Sequence, residues 1–507
     1  MDLLSAKVKP YPWGTRDAIA DLQGRPVPAA APEAELWMGA HPSAPSGVGW
    51  TTLDEVIAAA PERALGVECA ARFGDRLPFL LKVLSAAKAL SIQVHPSRAQ
   101  AQGGWAAENA QGLPPGDPGR NYVDDWPKPE LLYALTPFEV AAGLRAPDDA
   151  AALLRALAVD ALEPLAASLT TAPVPPAAAP DAADPDAIGS DAAGADAAVP
   201  AAMTAALASV LRWPPAGRDA LVADVVAACS RLAASGGPYA AACAAVVRVA
   251  ADQPGDLGVV ALLLMRHEIL QPGQAMFMPA GGLHSYLRGT GIELLANSDN
   301  VVRAGLTGKH VDVPELLKLV DPAVPVPVLA PRVLPDGIAW FDTPAPEFRL
   351  HIVDLSSPIV DLSSPANSSA SPGSTVPSGS TNPLSSTVPS GSTNPLSSTV
   401  PSVSTVPSGS SVATGSPVPV GASLPTGSRG PAGPSSRAGV AAPAPSLALP
   451  GTGPRIVLCL DGACTLRAAS AATLDLSRGD SCFIPFADGP VAATGHARLI
   501  LATPAPA

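Results

Sequence analysis

The sequence is short of positive charge. Its 31 lysines and arginines stand against 44 aspartates and glutamates, a formal net charge of −13. That balance excludes nucleic acid or an anionic membrane as the main partner, and it obliges any anionic substrate to find a local basic cluster. Long apolar runs are missing too. No stretch reaches the roughly 18 uncharged apolar residues a membrane span needs, so no membrane partner is expected. The opening MDLLSAKVKPYPWG carries no apolar core of signal-peptide length. Cysteine is scarce: Cys69, Cys229, Cys243, Cys459, Cys464 and Cys482 are the only six. None forms a C-x-x-C pair, which argues against a cysteine zinc site or a thioredoxin-like motif and for reduced, buried thiols in a cytoplasmic protein. Aromatic residues make up 4% of the chain, while proline occurs 60 times; a coding bias toward alanine and proline would give the same composition.

What is present is β-patterned at both ends and helical between. Residues 1–147 carry short strand-like runs and turn signals, among them LPFLLKVL (Leu77 to Leu84), an apolar run holding one lysine, Lys82. Residues 148–258 turn to three- and four-residue apolar spacing, with a break at Gly236, Gly237 and Pro238. Inside this helical part, residues 170–200 lack aromatics and periodicity and read as a disordered loop. Strand patterning returns over 259–330, so a β-domain (1–147 and 259–330) is interrupted by a helical one (148–258). Residues 331–507 form a further β-region, split by a low-complexity insertion over 356–450. Two copies of STVPSGSTNPLS start there at Ser374 and Ser386, and no charge lies between Asp361 and Arg429. Such a segment cannot bury enough apolar surface to offset its ordering entropy and reads as a disordered insertion between strands. The expected class is mainly β with an inserted α-helical domain, the strands forming an antiparallel sandwich or barrel.

One short stretch raises the chemical question. In SIQVHPS, Ser91, Gln93 and His95 alternate with Ile92 and Val94, so a strand would put the three polar side chains on one face. Alone, a solvated face is the better account of Gln93 and His95. Two more segments change this: DDWPKPELLYAL carries Glu130 and PAGGLHSYL carries His284. Gln93, His95, Glu130 and His284 would supply one amide oxygen, two imidazoles and one carboxylate, a donor set suited to Zn²⁺, with Mn²⁺, Fe²⁺ and Co²⁺ as alternatives. Spacing does not show that the four converge.

The stretches YPWGTRDAIADL, AELWMGAHPSAPS, LPFLLKVLSAAKALSIQVHPS, KPELLYALTPFEVAAGLR, MFMPAGGLHSYLRGTGIELLANSDNVVRAGLTGKHVDV and GDSCFIPFADGP together resemble the type I phosphomannose isomerases of the cupin superfamily. The resemblance implies cupin-type antiparallel β-barrels (jelly rolls). It also implies the reversible conversion of mannose 6-phosphate into fructose 6-phosphate through an enediol. It places one zinc ion on Gln93, His95, Glu130 and His284, the set already reached. The family commonly reads H-K-P-E where this chain has Pro127, Lys128, Pro129 and Glu130. The base that moves the proton between C1 and C2 is Glu293 or Lys128, and the lysine would need a lowered pKa. Glu293 could equally be an internal ion-pair partner of Arg303. Arg303 and Lys309 are expected in the active-site cleft as phosphate or oxyanion donors, with Ser91 and Lys82 also on the phosphate side. Asp299 orients Arg303 or takes part in proton transfer, whereas His41, His310 and Trp13 support the site. The implied partner is a small sugar phosphate, and a monomer is expected. The competing reading is a non-catalytic cupin that binds a metal or sugar and uses its Ser/Thr/Pro segment for interaction. Retention of Lys82, Lys128, Glu293, Arg303 and Lys309 beside a full ligand set favours the enzyme.

Overall fold

The apolar run with one lysine becomes the strand Phe79–Ala86, and all eight of its residues are buried. The computed structural model describes residues 1–170, 191–355 and 446–506. Phe79–Ala86 lies beside the longest strand of its sheet, His284–Ala296, in antiparallel register. That long strand also pairs with Glu130–Ala134, Phe138–Leu144 and Ile92–Val94. It passes from one set of partners to the other at Gly289, after a register irregularity between Tyr286 and Arg288. Gly289 has φ +136°, and a Cβ there would sit 2.8 Å from the Phe138 Cα. Only glycine allows the strand to turn this corner while packed against its neighbour. The result is an 11-stranded, wholly antiparallel sheet wrapped around the site.

The chain leaves this sheet after Phe138–Leu144 and returns as Met265–Leu270, which pairs with the strand it left, Met265 opposite Leu144. The helical part is thus an excursion anchored by strand pairing at both ends. Its helix Pro147–Leu157 starts with proline at the first turn, carries Asp148 and Asp149 at the positive end of its dipole, and buries Ala150, Leu153, Leu154 and Leu157 on one face. The glycine break separates the helices Arg218–Ser235 and Ala240–Asp252, with Gly236 and Gly237 at positive φ. The loop expected over 170–200 is different in part. Residues 171–190 lie outside the described residues, but from Asp191 the chain is helical, in the helix Asp191–Leu211. Alanine-rich sequence has the highest intrinsic helix propensity, and a missing aromatic stripe does not remove it.

A second antiparallel sheet, of nine strands, is built around Arg455–Ala468 and Val491–Thr503. Of the low-complexity insertion, 356–445 lies outside the described residues. Leu447–Ala448 is already a strand, paired with Val491–Thr503. Asp2–Leu3 also belongs to this second sheet, paired with Ser481–Ile484, so the first residues close the C-terminal sheet rather than the N-terminal one. Phe79, Leu81 and Leu294 from the first sheet share one core with Phe341, Phe348, Ile456, Phe483 and Ile500. All six cysteines are buried and unpaired in disulfides. Among the described residues no helix is long and apolar enough to cross a membrane.

Candidate metal centre and cleft

Strand register assembles the site. Gln93 sits between two partners, opposite His284 on one side and opposite Arg303 on the other. Glu293 stands opposite Lys82. Glu130 starts the strand Glu130–Ala134 and lies beside Leu295. Residues about 165 to 210 positions apart are therefore neighbours because antiparallel pairing makes them so.

His95, Glu130 and His284 are all buried, and their ligand atoms lie within 4.8 Å of one another. His95 donates its Nδ1–H to the Asn300 carbonyl at 2.7 Å, and His284 donates Nδ1–H to the Gly282 carbonyl at 3.0 Å. In neutral rings each Nε2 then carries a lone pair, and both nitrogens lie close to Glu130: His95 Nε2 is 3.3 Å from Oε1 and His284 Nε2 is 3.3 Å from Oε2. Burial, with the Lys128 charge adding to it, pushes the His95 imidazole down to about 4, so it stays neutral near pH 7. Its Nε2 is buried with no hydrogen-bond partner. A lone pair facing a carboxylate is unfavourable unless a cation lies between them. Separations of 3.3 Å suit donors bound tetrahedrally at about 2.0–2.1 Å to one zinc ion. The residues fit the metal. Gln93 lies at the edge of this group, with its Nε2 3.3 Å from His284 Nε2 and its Oε1 accepting from Ser91 Oγ at 3.4 Å. Glu130 also accepts from Lys128 Nζ and, at 3.3 Å, from the Tyr286 hydroxyl. Burial alone would raise the Glu130 carboxyl; Lys128, His95 and His284 together more than offset it and hold the group well below the usual carboxylate range.

A cleft of about 910 Å³ opens beside this group, lined by Lys82, Ser91, Gln93, Lys128, Glu130 and Glu293 and, further out, by Asp299, Arg303 and Lys309. The eleven residues given metal, catalytic or substrate-binding roles in the sequence are thus in the cleft wall or in the group behind it. The ion pair considered between Glu293 and Arg303 does not form. Glu293 pairs instead with Lys82 at 2.8 Å, because register puts them face to face. Burial raises the Glu293 carboxyl against the pull of Lys82. Lys82 is held above its ordinary value, since Glu293 and Glu35 outweigh the burial that would lower it. Among the described residues Arg303 and Lys309 form no ion pair; burial lowers both, and each remains a cation at neutral pH. Asp299 is held by His41: Ser43 N–H donates to His41 Nδ1 at 3.2 Å, leaving Nε2–H to donate to Asp299 Oδ1 at 3.3 Å. Burial would raise Asp299, and His41, Lys128 and Lys82 bring it below the usual range. Trp13 lines the cleft and His310 is exposed.

Sequence reasoning missed Glu35. Its carboxylate is buried 3.5 Å from Lys82 and accepts from Trp37 Nε1 at 2.9 Å. The signal was there: AELWM is an apolar run with one charge, the same pattern that drew attention to Lys82.

The model of phosphomannose isomerase type I, catalytic domain, matches residues 1–146. Mannose-6-phosphate isomerase of Escherichia coli strain K12 is 35% identical over 364 residues, covering 70% of this chain and 84% of the relative. The rat enzyme of the same name is 30% identical over 376 residues, covering 69% and 81%. A crystal structure of mannose 6-phosphate isomerase bound with zinc and yttrium superposes with a TM-score of 0.69 at 27% identity, covering 99% of both chains.

Proposed function

The chain belongs to the type I phosphomannose isomerase family, and from that premise we propose which of its residues carry out the family's reaction. The protein is a zinc-dependent aldose–ketose isomerase of cupin-type fold that interconverts mannose 6-phosphate and fructose 6-phosphate through an enediol. The alternative of a non-catalytic cupin is set aside by the activity its relatives are named for.

The observation that carries the site assignment is the convergence of two buried imidazole nitrogens, one of them without a hydrogen-bond partner, on one buried carboxylate. His95, Glu130 and His284 are the zinc ligands, with Gln93 the fourth once its amide oxygen turns inward. An ion held there would supply Lewis-acid polarisation of the substrate oxygens and so lower the cost of the oxyanion that develops as the C–H proton leaves.

The rest is the work of the cleft. Glu293 is the base that takes the proton from C2 and returns it at C1. Burial strengthens its proton affinity, against the pull of the Lys82 ammonium beside it. Lys128, next to Glu130, places positive charge beside the developing oxyanion. Asp299, fixed by His41 and ionised, accepts the anomeric hydroxyl proton and hands it to the ring oxygen as the C1–O5 bond opens. Arg303 and Lys309 are cleft cations without a carboxylate partner among the described residues and hold the phosphate, while Ser91 donates from the position just before the strand Ile92–Val94. In an otherwise acidic chain they supply the local basic cluster that a doubly charged substrate requires. The protein is a monomer and cytoplasmic, the latter supported by six buried free thiols. A coupled assay with mannose 6-phosphate, run beside metal analysis, tests the assignment. Glu293→Gln should retain one zinc per chain and lose nearly all turnover; full turnover in that variant would move the base to Lys128.

A further inference from the structure

The two histidines of the metal group take their orientation from backbone carbonyls, and one of those carbonyls belongs to a residue with an unusual load. Asn300 is fully buried. Its backbone oxygen accepts the His95 Nδ1–H at 2.7 Å. Its side-chain oxygen accepts from the backbone N–H of Val123 at 2.7 Å and of Asp124 at 3.2 Å. Its side-chain nitrogen donates to the Asp124 carbonyl at 2.8 Å, to Asp124 Oδ1 at 3.2 Å and to the Trp126 carbonyl at 2.8 Å. The same Asp124 accepts from Ser298 Oγ at 2.8 Å and from the Asp299 backbone N–H at 3.0 Å.

We infer that Asn300 is the positioning residue of the metal centre, locking the segment that delivers Glu130 to the segment that orients His95. Trp126 is followed directly by Pro127, Lys128, Pro129 and Glu130. Two of these four residues are prolines with fixed φ, so the placement of the Trp126 carbonyl is passed along a stiff connection to Glu130. The carbonyl that fixes the His95 tautomer is backbone, so no substitution at position 300 removes it. What the asparagine side chain contributes is its location. An amide is the fitting group because it offers both acceptor and donor: two backbone N–H groups need the first and two carbonyls the second. Aspartate would face carbonyls with lone pairs, and alanine would take these partners from four backbone groups of the Val123–Trp126 loop, the buried Trp126 carbonyl among them. Outer-sphere partners that orient metal-bound histidines commonly account for about 10- to 100-fold in metal affinity.

This inference rests on His95 and Glu130 being ligands, and the test separates the two. Zinc dissociation constants of the full chain are measured by competition with a chromophoric chelator for wild type, Asn300→Ala and the control Asn297→Ala. Asn297 is a neighbouring half-buried asparagine whose side chain donates to the Leu77 carbonyl at 3.2 Å. Asn300→Ala should bind zinc about 10- to 100-fold more weakly while its circular dichroism stays that of wild type, and Asn297→Ala should stay within about twofold. Asn300→Ala with wild-type affinity overturns the inference and leaves the ligand set standing. A wild-type chain that binds no zinc overturns the ligand set itself. Should Asn300→Ala fail to fold, Asn300→Asp decides: zinc bound about 10-fold or more weakly than by wild type supports the inference, and wild-type affinity overturns it.

Discussion

Lys82 and Glu293 face each other across adjacent antiparallel strands, and their side chains meet at 2.8 Å with almost no solvent contact. Glu35 approaches the same ammonium at 3.5 Å, so one buried cation serves two buried carboxylates. Removing one partner of a buried pair leaves an uncompensated charge, which typically costs about 3–5 kcal/mol. Lys82→Met should therefore lower unfolding free energy by an amount in that range and also abolish turnover. Adding Glu293→Gln to Lys82→Met should recover part of the stability and none of the activity. Urea titration of the three proteins checks this, and a double variant no more stable than Lys82→Met would show that the pair is not coupled as described.

Arg303 and Glu130 should separate binding of metal from turnover. Arg303 is the strand partner of Gln93, and its side chain donates to the Val301 carbonyl rather than to a member of the metal group. Arg303→Ala should keep one zinc per chain and lose about 100-fold or more in kcat/KM, the scale of removing one donor to a developing charge. Glu130→Ala should lose zinc as well as activity. Metal content by atomic emission beside the coupled assay distinguishes the two; a Glu130→Ala protein that keeps zinc and turns over would contradict the ligand assignment.

Stripping the metal should destabilise the chain as well as inactivate it. Zinc that binds only the folded state at 100 times its dissociation constant adds about 2.7 kcal/mol. A chelator-treated sample should melt several degrees lower than the loaded protein and recover on addition of zinc. Identical melting curves would mean that His95, Glu130 and His284 do not gather around an ion in the folded chain.

His351 predicts an acid-sensitive step remote from the cleft. It is buried in the second sheet, near Thr503, and burial pushes its imidazole from the ordinary 6.5 down to about 4, with Arg349 adding to the effect. The folded protein thus keeps this ring neutral at a pH where the unfolded chain protonates it. Stability from this group is complete above pH 6.5 and declines as pH falls toward 4, by a total on the order of 3 kcal/mol. His351→Leu should flatten the fall of unfolding free energy between those two values. An unchanged slope would mean that other groups account for the acid limb.

The sequence by itself determined the residue types that the chemistry needs and the periods that build the elements. Ile92 and Val94 alternate with Ser91 and Gln93, and the structure buries the first two and turns the others to the cleft, because a strand has a two-residue period whatever surrounds it. The donor set of zinc was likewise legible as letters, since it depends on the kinds of atoms offered. Pairing was not legible. Glu293 meets Lys82 rather than Arg303, and Gln93 lies between His284 and Arg303, only because two strands far apart in sequence settle into one register. Glu35 stood unremarked in AELWM until its strand was laid beside Lys82, and the helix from Asp191 drew on alanine propensity that a search for apolar stripes passes over. Local periods and donor chemistry belong to single residues and their neighbours. Register, burial and the shared charge of a cleft arise from contacts between distant segments, and only the folded chain decides those.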